Sequence, residues 1–135
     1  MSEDRGVRFG WLRVMYLWTI VGAGGFGLMA LFAPRLMEST MAFPAQDPFL
    51  RGVTGSVNVA FGILSLLGLR SPLKFVPVLF LQLCYKVIWF IVVLLPQLLG
   101  GQFPTHAMVL ALVFATYVIG DLIAIPFGQL FAKEA

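Results

Sequence analysis

Residues 87–120 read VIWFIVVLLPQLLGGQFPTHAMVLALVFATYVIG and contain no Asp, Glu, Lys or Arg. A helix needs about 20 apolar residues to cross the hydrocarbon core of a bilayer, so this run is longer than one span requires. The sequence PQLLGGQFP at residues 96–104 supplies the prolines and glycines of a turn in its middle. The run therefore predicts parts of two transmembrane helices joined by a tight turn.

The rest of the chain has the same apolar character. Residues 14–33 and 52–69 also lack charged side chains, and the 135-residue chain is 60% hydrophobic and 11% charged. Its mean hydropathy is +0.96, whereas soluble domains are about 25% charged. The composition excludes a soluble domain and predicts a single transmembrane domain over residues 1–135.

Proline and glycine divide this domain into four predicted spans. The spans are residues 11–33, 49–69, 75–99 and 105–127. Pro96 and Gly100-Gly101 are expected to end the third helix, and Pro77 is expected in its first turn. Because four strands cannot close a β-barrel, and open sheet edges would leave peptide groups unpaired in lipid, the predicted fold is an all-α four-helix bundle.

The basic residues are unevenly distributed between the two ends of these spans. One end carries Arg5, Arg8, Arg13, Arg70, Lys74 and Lys133. The other end carries only Arg35 and Arg51. Since cytoplasmic loops are enriched in Lys and Arg, both termini are predicted to be cytoplasmic.

Residues 34–43, between the first two spans, alternate apolar and polar side chains. This pattern predicts a short helix in the membrane interface. Two interpretations stay open for this segment. It is either a lid over a lateral opening between helices or a connector that rests at the lipid headgroups.

The chain has one histidine, His106, and one cysteine, Cys84. A bis-histidine haem, a His–Cys zinc site and a Ser-His-Asp triad each need more ligands or bases than these two residues supply. We therefore predict no cofactor and no metal site, and we assign no catalytic residue. The basic residues are scattered around the spans and form no basic face, so no nucleic-acid partner is predicted.

Residues 22–27 (GAGGFG) match the G-x-G-x-x-G spacing of dinucleotide-binding loops, but they lie within a membrane span and follow no strand. Small residues also allow neighbouring helices to approach closely. The second span carries Gly52, Gly55, Ser56, Ala60 and Gly62. We therefore predict that the first two spans pack through these small residues, with homodimerisation through one of these surfaces as the alternative.

Arg13 and Arg51 lie within three residues of the start of their predicted spans, so Lys86 and Asp121 are the charged residues that lie deeper inside. Such residues are costly in lipid and usually face the bundle interior or water. At 1.5 Å per residue, Lys86 lies about 20 Å and Asp121 about 24 Å from the outer ends of their helices. This similar depth predicts an ion pair, which is either a structural lock between two helices or part of a functional polar site.

Further polar and aromatic side chains accompany these two residues. Tyr117 lies one helical turn before Asp121 and could share its face. Asn58 on the second span can add hydrogen bonds between helices. The predicted ligand-binding residues are Lys86, Asp121, Tyr85, Asn58, Gln82, Tyr117 and Trp89.

Four short segments carry a resemblance to a known family. They are RGVTG at residues 51–55, GILSLLGLRSP at 62–72, YK at 85–86 and GDLIAIP at 120–126. With these segments the chain resembles the small four-helix membrane proteins of bacteria grouped as DoxX-like. The resemblance implies a location in the bacterial inner (plasma) membrane and an arginine that opens the second helix, and it implies no particular reaction.

These features favour a small non-enzymatic membrane protein. We expect it to bind a hydrophobic or lipid-like ligand within the bundle or to serve as an accessory subunit of a larger membrane complex. The expected partners are membrane lipid, a hydrophobic small molecule, and a second copy of the chain or a larger complex. One alternative is a membrane enzyme acting on a lipid-like substrate, with Asp121 as acid or base and Lys86 or Tyr85 as its partner. Another is a small proton-coupled exporter.

Overall fold

The computed structural model describes residues 6–134, and helices dominate this part of the chain. It contains no strand between these two positions, which confirms the predicted all-α fold. The helices are α1 (Phe9–Phe32), α2 (Pro34–Met41), α3 (Pro48–Arg70), α4 (Val76–Leu99), α5 (Thr105–Ala124) and α6 (Phe127–Leu130).

Four of these helices, α1, α3, α4 and α5, are long and apolar enough to cross a membrane. They agree with the four predicted spans to within three residues at each end. The largest difference is at the end of α5, which stops at Ala124 because Ile125 precedes a proline and is extended (φ −69°, ψ 125°). The chain is therefore a multi-pass membrane protein built as a four-helix bundle.

The bundle has two distinct ends. The end that carries the start of α1, the α3–α4 turn and the end of α5 is called the terminal side, and the end that carries α2 and the α4–α5 turn is called the loop side. At the loop side the Asp47 carboxylate caps α3 by accepting hydrogen bonds from the backbone N–H groups of Phe49 and Leu50, both at 3.0 Å. The cap satisfies two of the backbone N–H groups at the start of α3 that have no partner within the helix.

The prolines of α4 act differently from one another. Pro77 lies in the first turn, as predicted. α4 ends at Leu99, as predicted, so Pro96 lies in its last turns and the helix stops before Gly101, which has a positive φ of 80°. The segment just before Pro96, Trp89–Leu94, is a π-helix. This wider turn accommodates the missing N–H and the ring of the proline.

A second π-helical segment, Ile20–Gly24, interrupts α1. Neither π-helix was predicted from the sequence. Each π-helix rotates the side chains that follow it relative to those before it. π-Helical turns are rare overall, and those that occur are often found at functional sites.

Glycines place α1 directly against α3, as predicted. A Cβ atom added to Gly62 would lie 3.1 Å from the Cα atom of Gly24, and one added to Gly27 would lie 2.6 Å from the carbonyl oxygen of Gly55. Gly52 has no such neighbour within 4 Å, so it takes no part in this contact. The two backbones touch, which only glycine permits at this distance.

The segment between α1 and α3 folds back over the loop side of the bundle. Its helix α2 confirms the predicted short helix, and Met37 and Phe43 are buried beside Ala30 of α1. The Arg51 guanidinium donates hydrogen bonds to the carbonyl oxygens of Ala30, at 3.0 Å, and Gln46, at 3.4 Å. Arg51 thus fastens this segment to the end of α1.

We expect Gly27→Ala to lower the free energy of unfolding by about 1–3 kcal/mol, because the new methyl group would press against the backbone of α3. The control is Gly52→Ala, which meets nothing within 4 Å and should leave stability unchanged or raise it through helix propensity. Thermal melting in one detergent compares the two variants. Equal losses would show that α1 and α3 do not touch at Gly27.

Candidate functional site

A cavity of about 690 Å³ lies between the loop-side half of α1 and the helices α3, α4 and α5. Both π-helical segments contribute to its wall, through residues 21–23 and through Trp89. Its volume is within the range of about 300–1,000 Å³ that is typical of small-molecule sites. Most of its wall is apolar, and its polar side chains are Gln46, Thr54, Asn58, Tyr85, Lys86 and Tyr117.

Lys86 is the charged residue in this wall. Its side chain is only 1% exposed, and its Nζ atom lies 3.7 Å from the ring centroid of Tyr117, 4.8 Å from that of Tyr85 and 5.1 Å from that of Phe114. Cation–π attraction of this kind contributes about 0.5–2 kcal/mol per contact. These three rings, which we call the aromatic cage, take the place of water around the ammonium group.

Hydrogen bonding and packing hold the aromatic cage in position. The Tyr117 hydroxyl donates to the carbonyl oxygen of Trp18 at 2.9 Å, across to α1. A Cβ atom at Gly22 would collide with this hydroxyl, so the glycine leaves room for the tyrosine. On the other side, the ring of Phe114 packs edge-on against Trp89 with centroids 5.1 Å apart. The cage therefore depends on α1, α4 and α5 together.

Asp121 lies in a separate polar cluster that does not line the cavity. Its side chain is fully buried, and its Oδ2 atom accepts a hydrogen bond from Nε2 of Gln82 at 3.1 Å. Gln82 in turn contacts the Thr19 hydroxyl at 3.3 Å, and that hydroxyl donates to the carbonyl oxygen of Met15 at 2.7 Å. Among residues 6–134, the Oδ1 atom of Asp121 has no hydrogen-bond partner.

The prediction that Lys86 and Asp121 form an ion pair is therefore wrong. Within residues 6–134 the two side chains have different partners. Lys86 contacts aromatic rings, and Asp121 accepts its hydrogen bond from Gln82. Equal depth shows only that two residues lie at the same height along their helices. It does not determine the direction in which either side chain points. Tyr117, one turn before Asp121, occupies the position nearest the ammonium group.

The predicted ligand-binding residues divide between these two places. Five of them line the cavity, namely Lys86, Tyr85, Asn58, Tyr117 and Trp89. Gln82 and Asp121 lie outside its wall, in the buried cluster with Thr19. The Asn58 amide donates to the carbonyl oxygen of Thr54 on its own helix at 2.8 Å.

Sequence reasoning missed Phe114, Phe43 and Thr19. Phe114 could have been found, since it precedes Tyr117 by three residues and Asp121 by seven, which places all three side chains on one helix face. Phe43 lies just after α2, and its place in the cavity wall follows from the folding back of this segment, which the sequence pattern does not predict. A single threonine in an apolar helix carries no signal of its own.

Fold and site together define a multi-pass helical membrane protein with an aromatic-lined cavity inside its bundle. No protein-family model, no curated protein and no solved structure matches the chain. The resemblance to DoxX-like proteins accordingly stays a prediction.

A double-mutant cycle can test the separation of the two charged residues. Gln82→Leu removes the donor to the buried Asp121 carboxylate, so we expect it to cost about 1–3 kcal/mol of stability, most of which Asp121→Leu should recover in the double variant. The coupling energy between Lys86→Met and Asp121→Leu should be smaller. Unfolding of all variants in one detergent gives both coupling energies. A larger coupling energy for Lys86 with Asp121 than for Gln82 with Asp121 would support the ion pair instead.

Proposed function

We propose that this protein is a non-enzymatic membrane protein that binds a hydrophobic or lipid-like molecule inside its helix bundle. One observation carries the proposal: an apolar cavity of about 690 Å³ contains a few polar side chains that converge on it. Small-molecule sites have this composition, because the apolar wall supplies affinity and the polar groups fix orientation.

The construction of the cavity supports binding over a purely structural role. A bundle needs only close helix contacts, which the glycines of α1 and α3 provide where the two backbones touch. The cavity instead holds a lysine in its wall, although an ionisable residue in a span is costly and is functional by default. The two π-helical segments that border it are a further feature of functional sites.

The contacts of the segment that follows α1 favour the interpretation of this segment as a lid. Met41 and Phe43 line the loop-side end of the cavity, next to Phe26 and Met29 of α1. A connector resting at the headgroups would not need to place two large apolar side chains inside the bundle. On this proposal, the contacts of Arg51 with Ala30 and Gln46 hold the lid in place.

The enzyme alternative requires Asp121 to reach the substrate as acid or base. Asp121 is not in the cavity wall, and its carboxylate is engaged with Gln82. A proton-coupled exporter would likewise need this acid to meet the transported molecule. Binding requires no such contact, and the function proposed here is therefore binding without catalysis.

Native mass spectrometry of gently purified protein tests the binding proposal. Gly25 lines the cavity, and a Cβ atom there meets nothing within 4 Å, so Gly25→Leu should fill part of the cavity without moving the backbone. We expect the wild-type protein to retain a small molecule and Gly25→Leu to lose most of it. The same spectra report whether the chain is a monomer, a homo-oligomer or part of a complex.

The matched control is Gly52→Leu, at another glycine with open space but outside the cavity wall. It should retain the molecule as the wild-type protein does. Equal retention by both leucine variants, with both still folded, would contradict a ligand in this cavity.

The location we propose is the bacterial inner membrane with both termini in the cytoplasm, on the basis of the family resemblance and the uneven distribution of basic residues. With Cys84 replaced by serine, a cysteine at Ser39 in α2 should react with an impermeant thiol reagent in whole cells. A cysteine at Ser71, in the α3–α4 turn, should react only after the cells are opened. The reverse pattern would invert the assigned topology.

A further inference from the structure

The Lys86 ammonium group lies deep in the membrane and far from either interface. It is ten residues from the start of α4 and thirteen from its end, which correspond to about 15 and 20 Å of helix. A lysine side chain reaching along the helix cannot bring its charge to water over such distances. Its place among the rings of the aromatic cage holds it at the cavity wall.

The aromatic cage leaves the hydrogen-bonding capacity of Lys86 unused. An ammonium group has three N–H donors, and none of the side-chain hydrogen bonds found within residues 6–134 involves Lys86. The neighbouring Tyr85 hydroxyl also makes no hydrogen bond within this range, and it too belongs to the cavity wall. Two adjacent residues of the cavity wall thus carry donors that have no acceptor among residues 6–134.

Asp121 is the acidic residue of the bundle that could compete with a ligand for this ammonium group. Its carboxylate accepts a hydrogen bond from Gln82 and lies outside the cavity wall. The charge of Lys86 is therefore available to a group that enters from the cavity.

The cavity changes character along the membrane normal. Lys86 and Tyr85 lie at the inner end of the cavity, near the middle of α4, whereas the loop-side end of the cavity contains Ala30, Met41 and Phe43 together with Gln46 and Thr54. Two unpaired donors at the inner end, and large apolar side chains with the polar Gln46 and Thr54 at the loop-side end, match a molecule with an anionic head and a mainly apolar tail. Such a molecule would lie with its head inward.

From this geometry we infer that the cavity binds a single-chain amphiphile through its carboxylate, which accepts hydrogen bonds from Lys86 Nζ and the Tyr85 hydroxyl while its chain extends to the lid. The inference rests on the proposed binding function and adds the chemical class of the ligand. A charge-assisted hydrogen bond in a water-excluded site explains why a lysine is retained there.

The test is saturable binding of radiolabelled palmitate and hexadecanol, which share a chain length and differ in the charge of the head, to purified protein in a non-ionic detergent. Palmitate should bind the wild-type protein more tightly than hexadecanol does. Lys86→Met should weaken palmitate binding by about tenfold or more and remove this preference. Lys74→Met removes an exposed lysine from the α3–α4 turn and should change neither affinity.

Tyr85→Phe provides a second variant, since it removes only a hydroxyl and preserves the ring of the aromatic cage. It should weaken palmitate binding by about 2- to 10-fold and leave hexadecanol binding unchanged. This variant keeps the inference open to test even if Lys86→Met does not fold. Unchanged palmitate binding by folded Tyr85→Phe would show that the tyrosine hydroxyl does not bind the carboxylate.

The outcomes separate the ligand class from the binding function. Equal binding of palmitate and hexadecanol, insensitive to Lys86→Met but reduced by Gly25→Leu, would overturn the anionic ligand and leave the binding function standing. Displacement of palmitate by hexadecyl phosphate at much lower concentration than by unlabelled palmitate would replace the carboxylate with a phosphate. Absence of saturable binding of either probe would overturn the inference, and the binding function would also fall if native mass spectra showed no retained molecule.

Discussion

The contact between the Lys86 ammonium group and the ring of Tyr117 is the interaction on which the interior of this bundle depends. A lysine at the centre of a bilayer is unfavourable by about 2.5–3.5 kcal/mol on insertion scales. The aromatic cage offsets part of this cost, since each cation–π contact contributes about 0.5–2 kcal/mol. The ring of Tyr117 can do so only while its hydroxyl is held by the Trp18 carbonyl group, and this hydrogen bond needs the space left at Gly22.

The same requirement explains why α1 packs differently against α3 than against α4 and α5. Its loop-side half lies against α3 with glycine opposite glycine, so the backbones touch on that side. Between this half and α4 and α5 stand large aromatic side chains, which separate the helices and leave the cavity. The terminal-side half of α1 packs on α5 directly, where Met15 fits against Gly120. The cavity is thus confined to the loop-side half of the membrane, beneath the segment that contains Phe43.

The fold followed from the sequence because a bilayer imposes a length on each helix and prolines and glycines mark the ends. The site followed only in part. Lys86 and Tyr117 could be identified because ionisable and polar residues in a span seldom face lipid, and helical spacing collects their neighbours. The rotation of each helix about its axis depends on contacts with the other helices, and this is why the partner of Asp121 was predicted to be Lys86 and is Gln82. The π-helices alter this rotation further, and their hydrogen-bonding pattern has no simple sequence signal.

Separating the two ionisable groups has a chemical consequence for the proposed site. In a direct ion pair the Lys86 ammonium group would already donate to the Asp121 carboxylate, and an entering anion would have to compete with that carboxylate. Here Gln82 engages Asp121 through a neutral donor, and aromatic faces surround Lys86 without supplying a lone pair. Rings stabilise a cation but accept none of the strong hydrogen bonds that a carboxylate does. An ammonium group solvated in this way is stable enough to stay in the membrane and still gains by binding an anion, which is the property that a reversible lipid-binding site requires.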